Sequence, residues 1–172
     1  MGRLIADKGA HLLVEALSRL RSEGFCLTLT LVGGGPEEAA LRQTAQELGL
    51  GHQVRFAGVR RGSELAQLLS AHRVMVVPSI CLEGFGVVAL EGIACGCLVV
   101  GSEGGGLKDA IGACGVTFPN GDVQALTRCL MELFSHPECW RAYRVHATAH
   151  LTRHTRAAVA ISYLRVLEAA CR

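Results

Sequence analysis

Charge of either sign is scarce in this sequence. Charged residues make up 19 % of 172, and the formal net charge is +2. So small an excess does not support nucleic acid or an anionic membrane surface as the main partner. Long hydrophobic runs are also missing. The apolar stretches are short, broken by charged or Gly-rich segments, and none approaches the ~18 residues of a membrane span. The N-terminus lacks the contiguous apolar stretch and cleavage site of a signal peptide. No tandem repeat, linker or low-complexity tract is present.

Several chemical signatures are absent too. None of the eight cysteines forms a CxxC pair, and no Cys/His cluster has zinc-finger spacing. Cys95 and Cys97 flank a single glycine, too close for a metal knuckle. The cysteines are therefore expected to be buried, plain thiols in a reducing compartment, the cytoplasm. His136, His146, His150 and His154 fall in the terminal segments and are expected at the surface. Gly-x-Ser-x-Gly is missing, so a hydrolase nucleophile elbow is unsupported.

What is present is apolar: half the residues, enough for one domain with a large core. Short β-type runs alternate with amphipathic stretches. Cys26 to Val32, Val54 to Ala57, Val74 to Val77, Leu98 to Gly101 and Val116 to Phe118 read as strands. Leu12, Leu13, Ala16, Leu17 and Leu20 recur at helical spacing, as do Ala40, Leu41, Ala45 and Leu48, then Leu65, Leu68 and Leu69. Strands without polar alternation, separated by helices, imply a Rossmann-like α/β fold with a covered parallel sheet. From Asp122 the pattern is helix only: Asp122 to Phe134, Pro137 to His150, and Thr155 to Ala170. The reading is one domain over 1–172, an α/β core at 1–121 and C-terminal helices at 122–172.

In such sheets ligands sit at the carboxyl ends of the strands. Three of the loops there are glycine-rich. Gly33-Gly34-Gly35-Pro36 follows a strand and opens a helix, a place where backbone amides could cradle a phosphate; a tight turn with an ordinary cap reads equally well. A dinucleotide fingerprint fails because Glu38 stands where its last glycine should be, and no GK[ST] follows for a P-loop. Gly104-Gly105-Gly106 reads as a tight loop or a ligand contact.

Pro78 to Glu91, PSICLEGFGVVALE, says more. Glu83 precedes Gly84-Phe85-Gly86, and a helix should begin near Gly86. The free amides of its first turn would receive a diphosphate, and Glu83 could accept hydrogen bonds from sugar hydroxyls. Glu91 lies inside the apolar helix VVALEGIACG, where a buried lone carboxylate needs partners such as vicinal ribose hydroxyls. The competing reading puts Glu91 on a wet stripe and makes Glu83 a surface loop charge. Arg3 and Lys8, in GRLIADKG, would place two cations over the same crevice. Alone they read as solvated charges; beside the glutamate pair they do not.

GRLIADKG, LVGGGPE, VRFAG, VVPS, EGFGVVALE, ACG, GSEGGGLKD and GVTFPNGD occur in an order and spacing that resemble the family-four (group 1) glycosyltransferases of the GT-B fold. The resemblance runs from Gly2 to about Phe134. It implies the C-terminal, nucleotide-sugar-binding half of such an enzyme, with no metal or other cofactor and a retaining transfer. Arg3 and Lys8 would be the diphosphate pair and Glu83 the donor-sugar carboxylate. Gly33, Gly34, Gly84, Phe85, Gly86 and Val87 would be backbone contacts, Glu91 the ribose ligand, and Arg60 a neighbour of the base. His72-Arg73, Leu98 and Gly92 depart from the family pattern. The family's acceptor-binding domain is expected to be missing, and the first, central strand to be cut to Met1–Leu4, leaving a gap in the sheet. The expected partner is a nucleotide-sugar donor, with contact at a cytoplasmic membrane face left open. A non-catalytic remnant or nucleotide-binding interaction module is the alternative; a dehydrogenase-like domain is disfavoured by the failed fingerprint.

Overall fold

The computed structural model describes residues 1–171; Arg172, the last residue of the helical segment, lies outside the described residues. Among the described residues five strands form: β1 (Leu29–Val32), β2 (Val54–Gly58), β3 (Val74–Val77), β4 (Leu98–Ser102) and β5 (Gly115–Phe118). Every pairing is parallel. The helices of the α/β core are α1 (Ala10–Ser22), α2 (Glu38–Glu47), α3 (Gly62–Ser70), α4 (Val87–Ala94) and α5 (Leu107–Ile111). The closing helices are α6 (Val123–Ser135), α7 (Trp140–Arg144), α8 (Ala147–Arg153) and α9 (Arg156–Ala170). The expected α/β architecture with closing helices is what forms.

The strands make two sheets rather than one, β1-β2 and β3-β4-β5. The break falls between β1 and β3, where the central strand was expected to be cut short. β4 shows what a complete environment does: paired on both edges, all five of its residues are buried. Its side chains alternate between two cores, as the strand period requires. Leu98 and Val100 join Leu13, Leu17 and Leu20 of α1 and Leu126 and Leu130 of α6. Val99 joins Ala89 and Ile93 of α4 and Leu107 and Ile111 of α5. The first core also holds Leu31 of β1, so α1 and α6 bind the two sheets together.

Several expectations need correction. The first strand starts at Leu29, not Cys26; Leu27 O instead accepts a 2.8 Å bond from the Gln53 side chain. The helix expected over Pro137 to His150 is broken into a 3-10 turn, α7 and α8, as Trp140 turns inward and its indole N–H donates to Leu133 O at 2.7 Å. Helix α9, with Thr155 as N-cap, buries none of its residues. The cysteines are not uniformly buried: Cys97 and Cys114 are, while Cys26, Cys139 and Cys171 are exposed. All eight are free thiols. Burial pushes the Cys97 and Cys129 thiols up to about 11, which makes both poor nucleophiles.

Candidate functional site

The site is assembled at the carboxyl ends of the strands from three loops and the segment ahead of α1. That segment is held by backbone bonds. Gly2 N–H donates to Val32 O at 2.9 Å, Leu4 N–H to Gly34 O at 3.0 Å, and Glu37 N–H to Leu4 O at 3.0 Å. The contact is too close for side chains. A Cβ on Gly33 would come within 1.7 Å of Gly2 O, and one on Gly35 within 2.3 Å of Leu4 O. A short 3-10 turn, Ala6–Lys8, follows, and Ile80 N–H donates to Asp7 O at 2.8 Å. These bonds carry Lys8 over the loop after β3.

There Lys8 Nζ meets Glu83 Oε1 at 2.6 Å. The Ser79 hydroxyl donates to the same oxygen. Ser79 is almost fully buried. Burial by itself would raise the Glu83 pKa, but the hydrogen bonds from Lys8 and Ser79 and the lysine charge outweigh it and hold the carboxyl below its ordinary 4.5. Glu83 is thus an anion at neutral pH, already partnered by a cation.

The backbone beyond Glu83 is fixed by the second triple glycine. Gly106 N–H donates to Glu83 O at 2.8 Å. A Cβ on Gly105, whose φ is +69°, would lie 2.1 Å from that same oxygen. The triple glycine is therefore a seat for the Glu83–Phe85 turn. Gly86, at φ 87°, then starts α4 with no side chain capping it. Ala89 N–H turns back to Gly86 O at 2.8 Å, and the amides of Gly86 and Val87 are left free at the positive end of the helix dipole. A crevice of about 200 Å³ runs beneath, lined among others by Arg3, Lys8, Ser79, Glu83, Gly86 and Val87. Two cations, one carboxylate and an open helix N-terminus converge on one small space, an arrangement suited to a phosphate-bearing, hydroxyl-rich ligand.

The structure brings Arg3, Lys8, Glu83, Gly86 and Val87 to this crevice, with Gly84 exposed on the turn above. Phe85 turns its ring toward His154, 5.4 Å between centroids, so its backbone is what remains for a ligand. Glu91 is not buried: it is exposed and outside the crevice lining, so the cost of burial does not explain its place in an apolar helix. It stands one turn after Val87, on the same face of α4. Gly33 is taken up by the approach of Gly2, whereas a Cβ on Gly34 would have nothing closer than Val59 at 3.8 Å. Arg60 is exposed past the end of β2, its guanidinium on Val59 O at 3.1 Å, away from the crevice.

The sequence reading missed Ser79, which anchors Glu83, and Asn120, whose amide donates to Ile80 O at 3.1 Å and ties the loop after β5 to the one after β3. Both lie in motifs quoted above, VVPS and GVTFPNGD. His150 was expected at the surface but is buried, its Nε2 2.8 Å from Ala110 O. The spacing of four from His146 to His150 to His154 was the available signal for a shared helical face. Among the described residues no group of three or more His, Cys, Asp or Glu could hold a metal, and no helix is long and apolar enough to cross a membrane.

Known proteins resemble this chain in sequence and in fold. The chain is 34 % identical over 164 residues to a D-inositol 3-phosphate glycosyltransferase of Corynebacterium urealyticum, covering 90 % of this chain and 38 % of that protein. It is 32 % identical over 148 residues to a GDP-mannose-dependent alpha-(1-6)-phosphatidylinositol monomannoside mannosyltransferase of Mycolicibacterium smegmatis, covering 80 % and 38 %. The chain thus spans well under half the length of these relatives. The structure of Alr3699/HepE from Anabaena in complex with UDP superposes with a TM-score of 0.81 at 25 % identity, over 99 % of this chain and 48 % of that one. The C-terminal domain of the group 1 protein LpcC from Francisella tularensis, at 24 % identity and a TM-score of 0.77, shares the fold over 88 % and 82 %. The sequence pattern of the glycosyl transferases of group 1 matches residues 1–136. By that match and these identities, the chain belongs to the group 1 glycosyltransferases, and its fold is one α/β half of the GT-B architecture.

Proposed function

We propose that the chain is a donor-binding domain that holds a nucleotide-diphosphate sugar for retaining glycosyl transfer. The observation that carries this reading is the Lys8–Glu83 pair, 2.6 Å apart, beside the uncapped N-terminus of α4. Arg3 and Lys8 take the diphosphate oxygens together with the free amides of Gly86 and Val87. Glu83 accepts from the sugar hydroxyls and orients the donor. Glu91 reaches the ribose from the exposed face of α4, and Arg60 lies toward the base. In the transfer step the bond from the anomeric carbon to the leaving phosphate breaks as the acceptor oxygen attacks from the same face, and the departing phosphate takes the acceptor's proton. Glu83 stays an orienting anion and forms no bond to the sugar. No metal enters, since Arg3, Lys8 and the helix terminus supply the positive charge. The acceptor is assigned to a separate domain outside these 172 residues, and the reaction to the cytoplasm. The complexes of Alr3699/HepE with UDP and with UDP-glucose support a nucleotide-sugar ligand.

Isothermal calorimetry with UDP, GDP and ADP tests the reading. Heat is expected with one of them, with affinity reduced about tenfold to a hundredfold by Lys8→Ala through loss of a charged hydrogen bond. A folded sample that gives no heat with any nucleotide overturns it. The split sheet favours a second reading, a non-catalytic remnant or interaction module. A broad, non-cooperative melt supports that second reading, and a sharp two-state melt rejects it.

A further inference from the structure

The turn that carries the free amides of Gly86 and Val87 is held at one end by backbone. Gly106, the residue ahead of α5, donates its N–H to Glu83 O at 2.8 Å. A Cβ on Gly106 would lie 2.5 Å from Gly84 O, so the start of α5 backs the first two residues of the turn. Phe85, the last residue before Gly86, is held through its side chain. Its ring is half-buried against the core of α4 and α5 and stands outside the crevice lining. It meets the His154 ring at 5.4 Å between centroids, tilted by 42°.

His154, at the end of α8, is itself fixed. Its Nδ1 lies 2.9 Å from His150 O. A carbonyl only accepts, so Nδ1 carries the hydrogen and donates it. Behind it the His150 ring packs at 4.6 Å between centroids. His150 is buried, and by the same argument its Nε2 donates to Ala110 O of α5, at 2.8 Å. Gly112 makes room for that ring: a Cβ there would meet His150 Cε1 at 2.6 Å. The contacts therefore begin and end on α5. Gly106 holds Glu83 directly, and Ala110 holds Phe85 through two imidazoles. Gly86 sits at φ 87° with no side chain of its own to hold it. The peptide plane between Phe85 and Gly86 carries one of the two free N–H groups. With glycine on one side of that plane, the Phe85 side chain is what can fix it.

We propose that His154 is a positioning residue of the donor turn: its ring pins Phe85 and, through Phe85, presets the aim of the Gly86 and Val87 amides. His154 touches no ligand in this role. It lowers the cost of ordering the amides when a diphosphate arrives, and His150 ties it to α5. The link to affinity rests on the donor-binding reading of the crevice; the link to the turn does not.

Backbone NMR relaxation tests the link to the turn without any nucleotide. Order parameters at Gly86 and Val87 are expected near about 0.85 in the unmodified chain and below about 0.6 in His154→Ala, with the amides of β4 unchanged. His154→Phe keeps a ring against Phe85 and should restore the rigid values. Titration with UDP, GDP and ADP should follow the same order. Affinity for the nucleotide that binds should fall about threefold to tenfold in His154→Ala, the range of one aromatic pair, and return in His154→Phe. Phe85→Leu removes the ring from the other side, and its order parameters give the same test should His154→Ala unfold. The double variant should bind no more weakly than either single one, to within about twofold. Unchanged order parameters at Gly86 and Val87 in these variants overturn the proposal, as do affinity losses that add in the double variant. If the folded chain binds none of the three nucleotides, the donor reading fails, while the order parameters still confirm or reject His154 as what holds the turn.

Discussion

Glu83 takes two hydrogen bonds on one carboxylate oxygen, from Lys8 and from Ser79. This has a measurable acid limb. Its folded pKa lies below the ordinary value, so its contribution to stability is fully present above about 4.5 and is lost as pH falls through the lowered folded value. Urea midpoints measured at pH 7 and pH 3 should therefore fall less for Glu83→Gln than for the unmodified chain, with the difference shrinking at high salt. Glu91 allows a separate test. Its side chain is exposed and makes no hydrogen bond or ion pair among the described residues, so Glu91→Ala should leave the melt unchanged while weakening nucleotide binding by about tenfold; calorimetry beside a thermal melt reads both. Glu83→Ala should act mainly on discrimination between nucleotide and nucleotide sugar. Spacing made these residues legible: R-x4-K and the first glutamate of E-x7-E come to one crevice where a strand end meets a helix start, while the second, Glu91, stands outside its lining. Ser79 was not legible, because a serine after a strand has many uses and only the packed loop points it at Glu83.

At the scale of elements, α4 and its turn are held from behind by glycine. Gly105→Ala would put a Cβ 2.1 Å from Glu83 O at a φ of +69°. It should cost about 1–3 kcal/mol of stability and also lower nucleotide affinity, although Gly105 is outside the crevice lining; denaturation and calorimetry on one variant check both. Asp122 caps α6 by accepting from Ala125 N–H at 2.8 Å, and Asp122→Ala should cost about 1 kcal/mol by urea denaturation. That cap was readable in the sequence because capping is local. Gly92 has a tertiary reason: a Cβ there would meet Met75 Sδ at 2.5 Å. Helix α9 shows the opposite limit. Its apolar Ile161, Leu164, Val166 and Leu167 are exposed, because helix propensity and capping form the helix without requiring a partner for it.

Across the whole molecule, stability depends on helices that bridge two sheets. Leu126 of α6 is fully buried among Leu31 of β1 and Leu98, Val100 and Phe118 of the other sheet. Leu126→Ala should cost roughly 2–5 kcal/mol, read from the urea midpoint. The loss should exceed that of an equal truncation in the core between the three-stranded sheet and α4 and α5, which joins no second sheet. Native-state exchange should show β1-β2 opening at lower free energy than β3-β4-β5.

The sequence alone determined the order of strands and helices, the parallel sheet and the identity of the charged residues at the strand ends. Those depend on hydrophobic period, glycine-bearing turns and capping, which act within a few residues. Tertiary structure decided the rest. It formed no strand at Met1–Leu4 and separated the sheet into two between β1 and β3, buried His150, exposed Glu91 and α9, and turned one triple glycine into a seat for Glu83 and the other into a seat for Gly2 and Leu4. Each of these depends on which surfaces meet across tens of residues, and that is set by packing, not by local pattern.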